Sequence, residues 1–452
     1  MSGENLDMAK KIAALVNELG GKTYYVGGMV RDELLGIENK DVDIEVHGIT
    51  PEQLESILDS IGEKLKIGAN FGIYGLRGYD IDVAMPRKEQ ATGRGHRDFE
   101  VFVDPFLGVE KAAMRRDFTV NALMKDVITG EIIDCFGGAD DLKNSVLRHV
   151  NDATFVEDPL RVLRACQFAA RFGFEIAPET TRLMKTMNLD ALPKERALGE
   201  LEKALIKAER PSVFFEELKK AEQLDFWFSE LKTLIGLEQP PVWHPEGDVF
   251  SHTMLVLNAA AKLKNGAKNP LGFMFAALCH DFGKAVTQKE ENGKITFYCH
   301  ETEGIPLIEK FLRRLTDETE LIKYTLNLCE LHMRPNQVAA FNSGQKALNK
   351  LFYQCGDPQG LILLARADAL SCKGRDINHE AQEYLKNGLR IYNETMAKPC
   401  VAGADLVKAG LEPGAYFSEL LDYATKLRLA GIEKENALNQ TLAYARSKGY
   451  FK

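Results

Sequence analysis

The stretch Tyr24–Val46, YYVGGMVRDELLGIENKDVDIEV, decides the reading of the fold. It predicts a strand, a Gly27-Gly28 turn, a short helix through Arg31 and Asp32, and a second strand carrying Asp41 and Asp43. Side chains alternate along a strand, so Asp41 and Asp43 share one face while Val42 and Ile44 turn towards a core. Two glycines at a helix start let backbone N–H groups approach a triphosphate, and the helix dipole favours negative charge there. Arg31, one turn on, can pair with a phosphate oxygen. Two carboxylates held side by side suit a pair of Mg²⁺ ions clamping the attacking and leaving oxygens of phosphoryl transfer. A surface Asp-x-Asp and an unrelated Gly-Gly hairpin are the bland alternative; found together at this spacing, the two halves favour nucleotidyl transfer.

Working outward, 452 residues are enough for more than one domain. A hydrophobic content of 45% with 27% charged residues fits a globular chain. The formal net charge of −9 argues against wholesale coating of nucleic acid. A local basic surface is still on offer, from Lys111, Arg115, Arg116 and Lys125 and then Arg161, Arg164 and Arg171. The eight cysteines are scattered without a CxxC pair, which suits reduced thiols in the cytoplasm. No apolar run reaches the roughly 18 residues of a membrane span. Met8–Leu19 reads as an amphipathic helix and not as a signal peptide.

Up to about Cys135 the pattern is α/β. Strands are expected at Thr23–Val26, Asp41–Val46, Gly72–Leu76, Asp80–Ala84 and Ile132–Cys135, with helices after Gly28, from Pro51 and around Asp117. Arg87–Asp98, polar and containing glycine, reads as a mobile loop. Beyond Gly137-Gly138 the periodicity is almost wholly helical. The fold class is therefore α+β: a small mixed-sheet head over 1–137, then helical segments at 138–225, 244–400 and 401–452, the last opening near Gly403.

Three further patterns carry chemistry. Asp82, in Tyr79–Val83, either adds a third carboxylate to the pair or faces solvent. In Arg115–Leu123, RRDFTVNAL, Asp117 and Asn121 are four apart and would share a helix face, making with Arg116 a cluster able to hold ribose hydroxyls and phosphates. In Glu157–Arg164, EDPLRVLR, Asp158 suits a helix cap with Pro159 in the first helical position. Asp158 and Arg161 are also close enough to address one base. Aspartate can accept from an exocyclic amine while arginine donates to the adjacent ring nitrogen, an order that cytosine and adenine present and guanine and uracil reverse. A mismatched base would leave both groups unpaired, at a cost on the order of several kcal/mol.

Taken in order, GGMVRD with the Asp-x-Asp, RRDFTVNAL, DCFGGADDL (Asp134–Leu142) and EDPLRVLR resemble the class II tRNA nucleotidyltransferases, bacterial CCA-adding enzymes of the DNA polymerase β superfamily. The resemblance implies catalytic metals on Asp41 and Asp43, and nucleotide binding by Gly27, Gly28, Arg31, Arg116, Asp117, Asn121, Asp158, Arg161 and Arg164. CTP, ATP and a tRNA 3′ end are the implied partners, with no membrane and the cytoplasm as the compartment. Lys194–Leu205 is similar to the family's neck helix, departing from it with Gly199 in mid-helix. Gly68–Phe71, GANF, lacks the basic stretch of the poly(A) branch, and the Arg87–Asp98 loop resembles the one needed for A addition.

Downstream, His252, the adjacent His280-Asp281, His300, His332 and Asp368 resemble the HD phosphohydrolase pattern. Imidazole with carboxylate suits a divalent ion, Mg²⁺, Mn²⁺, Ni²⁺ or Fe²⁺, with open positions for water and phosphate. The likeness implies phosphatase and 2′,3′-cyclic phosphodiesterase activity in 3′-end repair; His244, before Pro245, reads as structural or rim-facing. The rival readings are an enzyme adding only A, a poly(A) polymerase, and a hydrolase whose head merely binds RNA.

Overall fold

A computed structural model describes residues 3–38, 41–68, 72–91, 99–240, 245–371 and 379–451. The chain forms two compact units, Met1–Ala208 with Val213–Trp227, and Glu209–Ser212 with Phe228–Lys452. Of the residues discussed above, Ala69–Phe71, the 92–98 part of the polar loop, and His244 lie outside the described residues.

The first unit opens with α1 (Gly3–Glu18), β1 (Lys22–Val26), α2 (Gly28–Leu34), β2 (Val42–His47), α3 (Pro51–Ile61) and β3 (Lys64–Gly68). Then come β4 (Ile73–Leu76), β5 (Ile81–Ala84), β6 (Arg87–Ala91), β7 (Phe99–Val103), α4 (Val109–Met114), β8 (Met124–Asp126) and β9 (Ile132–Ile133). Seven strands make one mixed sheet in the order β3-β4-β5-β2-β1-β8-β9, and β6 with β7 forms a separate hairpin. Only β2 and β5 pair in parallel within the large sheet. Its core follows from alternation: Val42, Ile44, Val46, Ile81 and Val83 are buried, and α1 packs Ile12, Ala13 and Val16 nearby. The start of α3 is set by Pro51 in its first turn and a reciprocal capping box between Thr50 and Gln53.

Two expectations fail here. No α-helix surrounds Asp117: α4 ends at Met114, and a 3₁₀ turn over Thr119–Asn121 follows. The β-branched Thr119 and Val120 disfavour continuing the helix. Arg87–Ala91 is also not loop but strand, in register with Phe99–Val103. Its polar sequence carries no alternation, so only the pairing with the apolar FEVFV run reveals it.

The unit continues through α5 (Gly138–Lys143), α6 (Asp152–Phe155), α7 (Leu160–Phe172), α8 (Pro178–Met184), α9 (Lys194–Lys207) and α10 (Ser212–Lys220), with β10 (Val146–Leu147) and β11 (Glu175–Ile176) paired among them. Asp134 accepts hydrogen bonds from the amides of Gly138 (2.9 Å) and Ala139 (2.9 Å), so the DCFGG motif is a helix cap that seats α5.

The second unit holds α11 (Ser229–Lys232), α12 (Val249–Ala261), α13 (Pro270–Cys279), α14 (Lys284–Thr287), the hairpin β12 (Lys289–Glu291) and β13 (Lys294–Thr296), α15 (His300–Glu303), α16 (Ile305–Leu315) and α17 (Thr319–Leu331). After these come α18 (Arg334–Ala340), α19 (Gln345–Gln354), α20 (Pro358–Ser371) and α21 (His379–Ala397). Helix α13 is buried from Gly272 to Cys279, the mark of a central helix, and α12, α17 and α20 pack around it. The closing helices α22 (Gly403–Lys408), α23 (Phe417–Leu429) and α24 (Lys434–Ser447) make their own core on Leu406, Leu411, Leu420 and Ala445. As expected, α22 opens at Gly403, with the Asp405 carboxylate taking the Ala402 amide at 2.8 Å. Among the described residues no helix is long and apolar enough to cross a membrane.

Candidate functional site

In the first unit, β2 and β5 bring Asp43 opposite Asp82 in register. Both carboxylates stand on the face turned away from Ile44 and Val83, against a cleft of about 550 Å³. Asp41 lies one residue ahead of β2 and not within it, so the in-strand neighbour of Asp43 is Asp82. Burial, then the charges of Asp82 and Asp41, push the Asp43 carboxyl up to about 6. Burial, Asp80 and Asp41 raise Asp82 as well. Carboxylates crowded in this way hold their protons to higher pH than usual and are relieved by a cation between them, so the donor set fits Mg²⁺.

Gly27, Gly28, Arg31, Arg116, Asp117, Asn121, Asp158, Arg161 and Arg164 line the same cleft. Gly27 sits at φ 65°, a conformation that glycine adopts at little cost. Asp117 and Asn121, though not on a helix, still meet: Asn121 Nδ2 donates to Asp117 Oδ1 at 2.9 Å. Arg164 donates to the other Asp117 oxygen through Nε (2.8 Å) and lies 2.6 Å from it through Nη2. Burial alone would raise Asp117, but Arg164, Asn121 and Arg161 hold its carboxyl below the usual range. Arg31 is buried. Its Nε and Nη2 donate to Asp32, its Nη1 donates to Asn121 at 2.6 Å, and the rings of Phe168 and Phe172 lie 4.9 and 4.6 Å from its guanidinium. It ties α2 to the 3₁₀ turn and to α7 before it meets any phosphate.

Asp158 and Arg161 share the cleft but do not face each other as an open pair. Asp158 Oδ2 is 2.7 Å from Arg196 Nη2 on α9, and Oδ1 accepts the Leu160 amide at 3.1 Å. Arg161 spends its two Nη groups on the carbonyls of Thr154 (2.6 Å) and Arg115 (2.7 Å). Helix α7 begins at Leu160 with Pro159, not Asp158, in the cap position, and the Asp158 carboxylate, one residue earlier, accepts the Leu160 amide.

Two cleft groups, Glu45 and Arg196, and Glu200 behind them go unmarked in the sequence reading. Glu45 continues the alternation begun by Asp41 and Asp43, yet its carboxylate is taken by His47 Nε2 (2.8 Å) and Arg116 Nη2 (3.2 Å). That alternation is the signal that could have found it. Arg196 and Glu200, four apart on α9, reach Asp158 and Arg164, the latter pair at 3.5 Å. Their spacing marks a helix face, but nothing in it names those partners.

In the second unit, His252, His280, Asp281, His300, His332 and Asp368 come together. Asp281 Oδ2 lies 3.3 Å from His280 Nε2 and 3.7 Å from His252 Nε2, and Oδ1 lies 3.3 Å from His300 Nε2 and 4.0 Å from His332 Nε2. Two candidate donor triads result, His252-His280-Asp281 and Asp281-His300-His332, sharing Asp281. Asp368 stands 3.0 Å from His252 Nε2. Carbonyls three residues upstream hold the Nδ1 atoms of His280 (Ala277, 3.0 Å), His300 (Phe297, 2.9 Å) and His332 (Cys329, 2.6 Å). That fixes Nδ1 as the donor and turns Nε2 inward as a lone pair. Among the described residues His280 Nε2 is buried without a hydrogen-bond partner, which suits a metal-ligating atom. Burial and the neighbouring His280 and His300 push His332 down to about 3, so it stays neutral. Burial works against charge on His252, yet hydrogen bonds to Asp368 and Glu246 lift it to about 9. Gly283 is required where it stands, because a Cβ there would lie 2.0 Å from the His300 carbonyl oxygen.

Residues 23–148 match the poly(A) polymerase head domain, and residues 249–372 match the HD domain. A multifunctional CCA protein of Actinobacillus pleuropneumoniae is 38% identical over 323 residues, which is 70% of this chain and 76% of that protein. The chain belongs to the multifunctional CCA protein family. A multifunctional CCA protein of Acinetobacter baumannii is 34% identical, covering 82% of this chain and 89% of its own length. A CCA-adding enzyme of Thermotoga maritima, solved in complex with tRNA, matches 98% of this chain and 96% of its own at a TM-score of 0.66 and 22% identity. A CCA-adding enzyme solved with CTP gives a TM-score of 0.67 at 23% identity, over 98% of this chain and 96% of its own. At these identities the structural likeness is one of fold. Both CCA-protein relatives span most of their own length against this chain.

Proposed function

We propose that this CCA-family chain adds C, C and A to a tRNA 3′ end from CTP and ATP, without a nucleic-acid template and with release of pyrophosphate. One observation carries the reading: Asp43 and Asp82 face, from adjacent parallel strands, the cleft that also holds Arg116, Asp117, Asn121, Asp158 and Arg161. Asp41, Asp43 and Asp82 would hold Mg²⁺, which when bound supplies activation of the terminal hydroxyl and charge neutralisation on the triphosphate. Gly27 and Gly28 leave room for phosphates beside Arg31 and Arg116. Asp117 and Asn121 receive the ribose, and Arg164 keeps Asp117 ionised and oriented. Asp158 and Arg161 read the base once the nucleotide competes with Arg196 for the Asp158 carboxylate.

The second unit we read as a phosphohydrolase acting on damaged 3′ ends. His252, His280, Asp281 and Asp368 would ligate one divalent ion, and His300 and His332, with Asp281 between the two sets, a second; Mg²⁺, Mn²⁺, Ni²⁺ and Fe²⁺ all suit such donors. The residues divide as head 1–137, neck 138–225, HD domain 244–400 and tail 401–452, in a cytoplasmic enzyme. The test is a double dissociation. Asp43→Ala should abolish extension of tRNA and leave hydrolysis of a 2′,3′-cyclic nucleotide to its monophosphate intact, and His280→Ala should do the reverse. Loss of both activities in either variant would refute two separate sites.

A further inference from the structure

We infer that Glu246, carried by the connector just ahead of α12, is a positioning residue that sets the ring of His252 for metal binding. The inference rests on reading the second unit as a metal-dependent hydrolase. His280, His300 and His332 each engage Nδ1 with a carbonyl three residues upstream. His252 differs. It lies inside α12, and its Nδ1 meets the Glu246 carboxylate at 2.8 Å and Ser371 Oγ at 3.2 Å. The Ser371 hydroxyl donates to the Asp368 carbonyl at 2.6 Å, so towards His252 it is an acceptor too. Both of these groups at Nδ1 thus accept a proton, and Nε2 faces Asp368 (3.0 Å) and Asp281 (3.7 Å) as the ligating atom.

The side chains of Glu246 and His252 are both only 1% exposed. A carboxylate this buried is held by its charge-assisted bond to imidazole, and that bond makes Nε2 more basic and fixes its direction. Glu246 precedes Asp248, the cap of α12, and lies outside the 249–372 match to the HD domain. The connector also places Gln239, whose Oε1 accepts from Lys284 at 2.7 Å, while Lys284 Nζ lies 2.7 Å from Asp281. The second site is therefore completed by residues ahead of the 249–372 match.

Glu246→Gln keeps the shape but removes the charge, and its amide can donate to Nδ1, which would move the proton onto the ligating nitrogen. The experiment is a Co²⁺ titration of the full chain, stripped of metal, followed by calorimetry and by visible absorption. His280→Ala defines the histidine-dependent part of the signal. Glu246→Gln should weaken that part about 10–100-fold, alter the absorption band, and leave CTP and ATP incorporation at wild-type rates, which shows that the chain is folded. Glu246→Asp, with the charge retained on a shorter stem, should recover part of the affinity. Equal affinity and spectrum in Glu246→Gln and wild type overturn the proposal, and so does equal weakening in the Asp and Gln variants. Absence of any His280-dependent Co²⁺ signal in the wild type removes the hydrolase reading, and the proposal with it.

Discussion

Replacing Asp43 by asparagine should destroy the transferase and at the same time make the metal-free protein more stable. Asp43 faces Asp82 across the parallel pair and feels Asp41, so its carboxyl sits at about 6 in place of 3.8. An unfolded chain releases this proton near 3.8 and the folded one near 6, so between those values the folded state binds more protons and loses stability as pH rises. At about 1.4 kcal/mol per tenfold in proton affinity, the full cost above pH 6 is about 3 kcal/mol. Water reaching the partly exposed side chain reduces it to about 1–3 kcal/mol. The asparagine side chain cannot ionise, so Asp43→Asn escapes the cost, and its melting temperature at pH 8 should exceed the wild type's by about 2–10 °C. At pH 4 the two should converge. Added Mg²⁺ should raise the wild type and leave the variant nearly unmoved. Scanning calorimetry at pH 4, 6 and 8, in EDTA and then in Mg²⁺, reads all of this. A variant that melts at or below the wild type at pH 8, or one that gains equally from Mg²⁺, would refute the reasoning.

Three further outcomes are expected. Glu45→Gln loosens Arg116, which it holds at 3.2 Å; steady-state kinetics should show KM for CTP and ATP raised about 10-fold with kcat within about twofold, as loss of a charged hydrogen bond in binding predicts. Arg196→Ala removes the 2.7 Å partner of Asp158; because that pair is partly exposed, single-nucleotide incorporation assays should show CTP and ATP selectivity over UTP and GTP changed by only about fivefold. Gly283→Ala forces a Cβ to 2.0 Å from the His300 carbonyl; chemical denaturation of the second unit should show a loss of at least about 1–3 kcal/mol, with phosphohydrolase activity falling and extension retained.

What the sequence reveals and what it hides divide along physical lines. Strands β2 and β5 are legible because carboxylates alternate with apolar residues, β1 and β4 because they are short apolar runs bounded by glycine, and α3 and α22 because Pro51 and Asp405 mark helix starts. The strand Arg87–Ala91 is hidden because its pattern is all polar and only its partner strand makes it one. The turn at Asp117 reads as helix because a spacing of four suits either, and the bond to Asn121 forms in both cases. Asp82 cannot be decided from its own neighbours, since only the β2–β5 register sets it beside Asp43. The histidine cluster is readable from residue type and order. Glu246 is not, because its tie to His252 depends on how the connector folds back on α12.

One cleft is proposed to select C and then A without a template. The most direct measurement gives the purified chain a labelled tRNA ending at the discriminator base, with Mg²⁺ and CTP alone, ATP alone, or both. Two added nucleotides are expected with CTP alone and three with both. A single A added only to tRNA already ending in CC, or no extension under any condition, would contradict it.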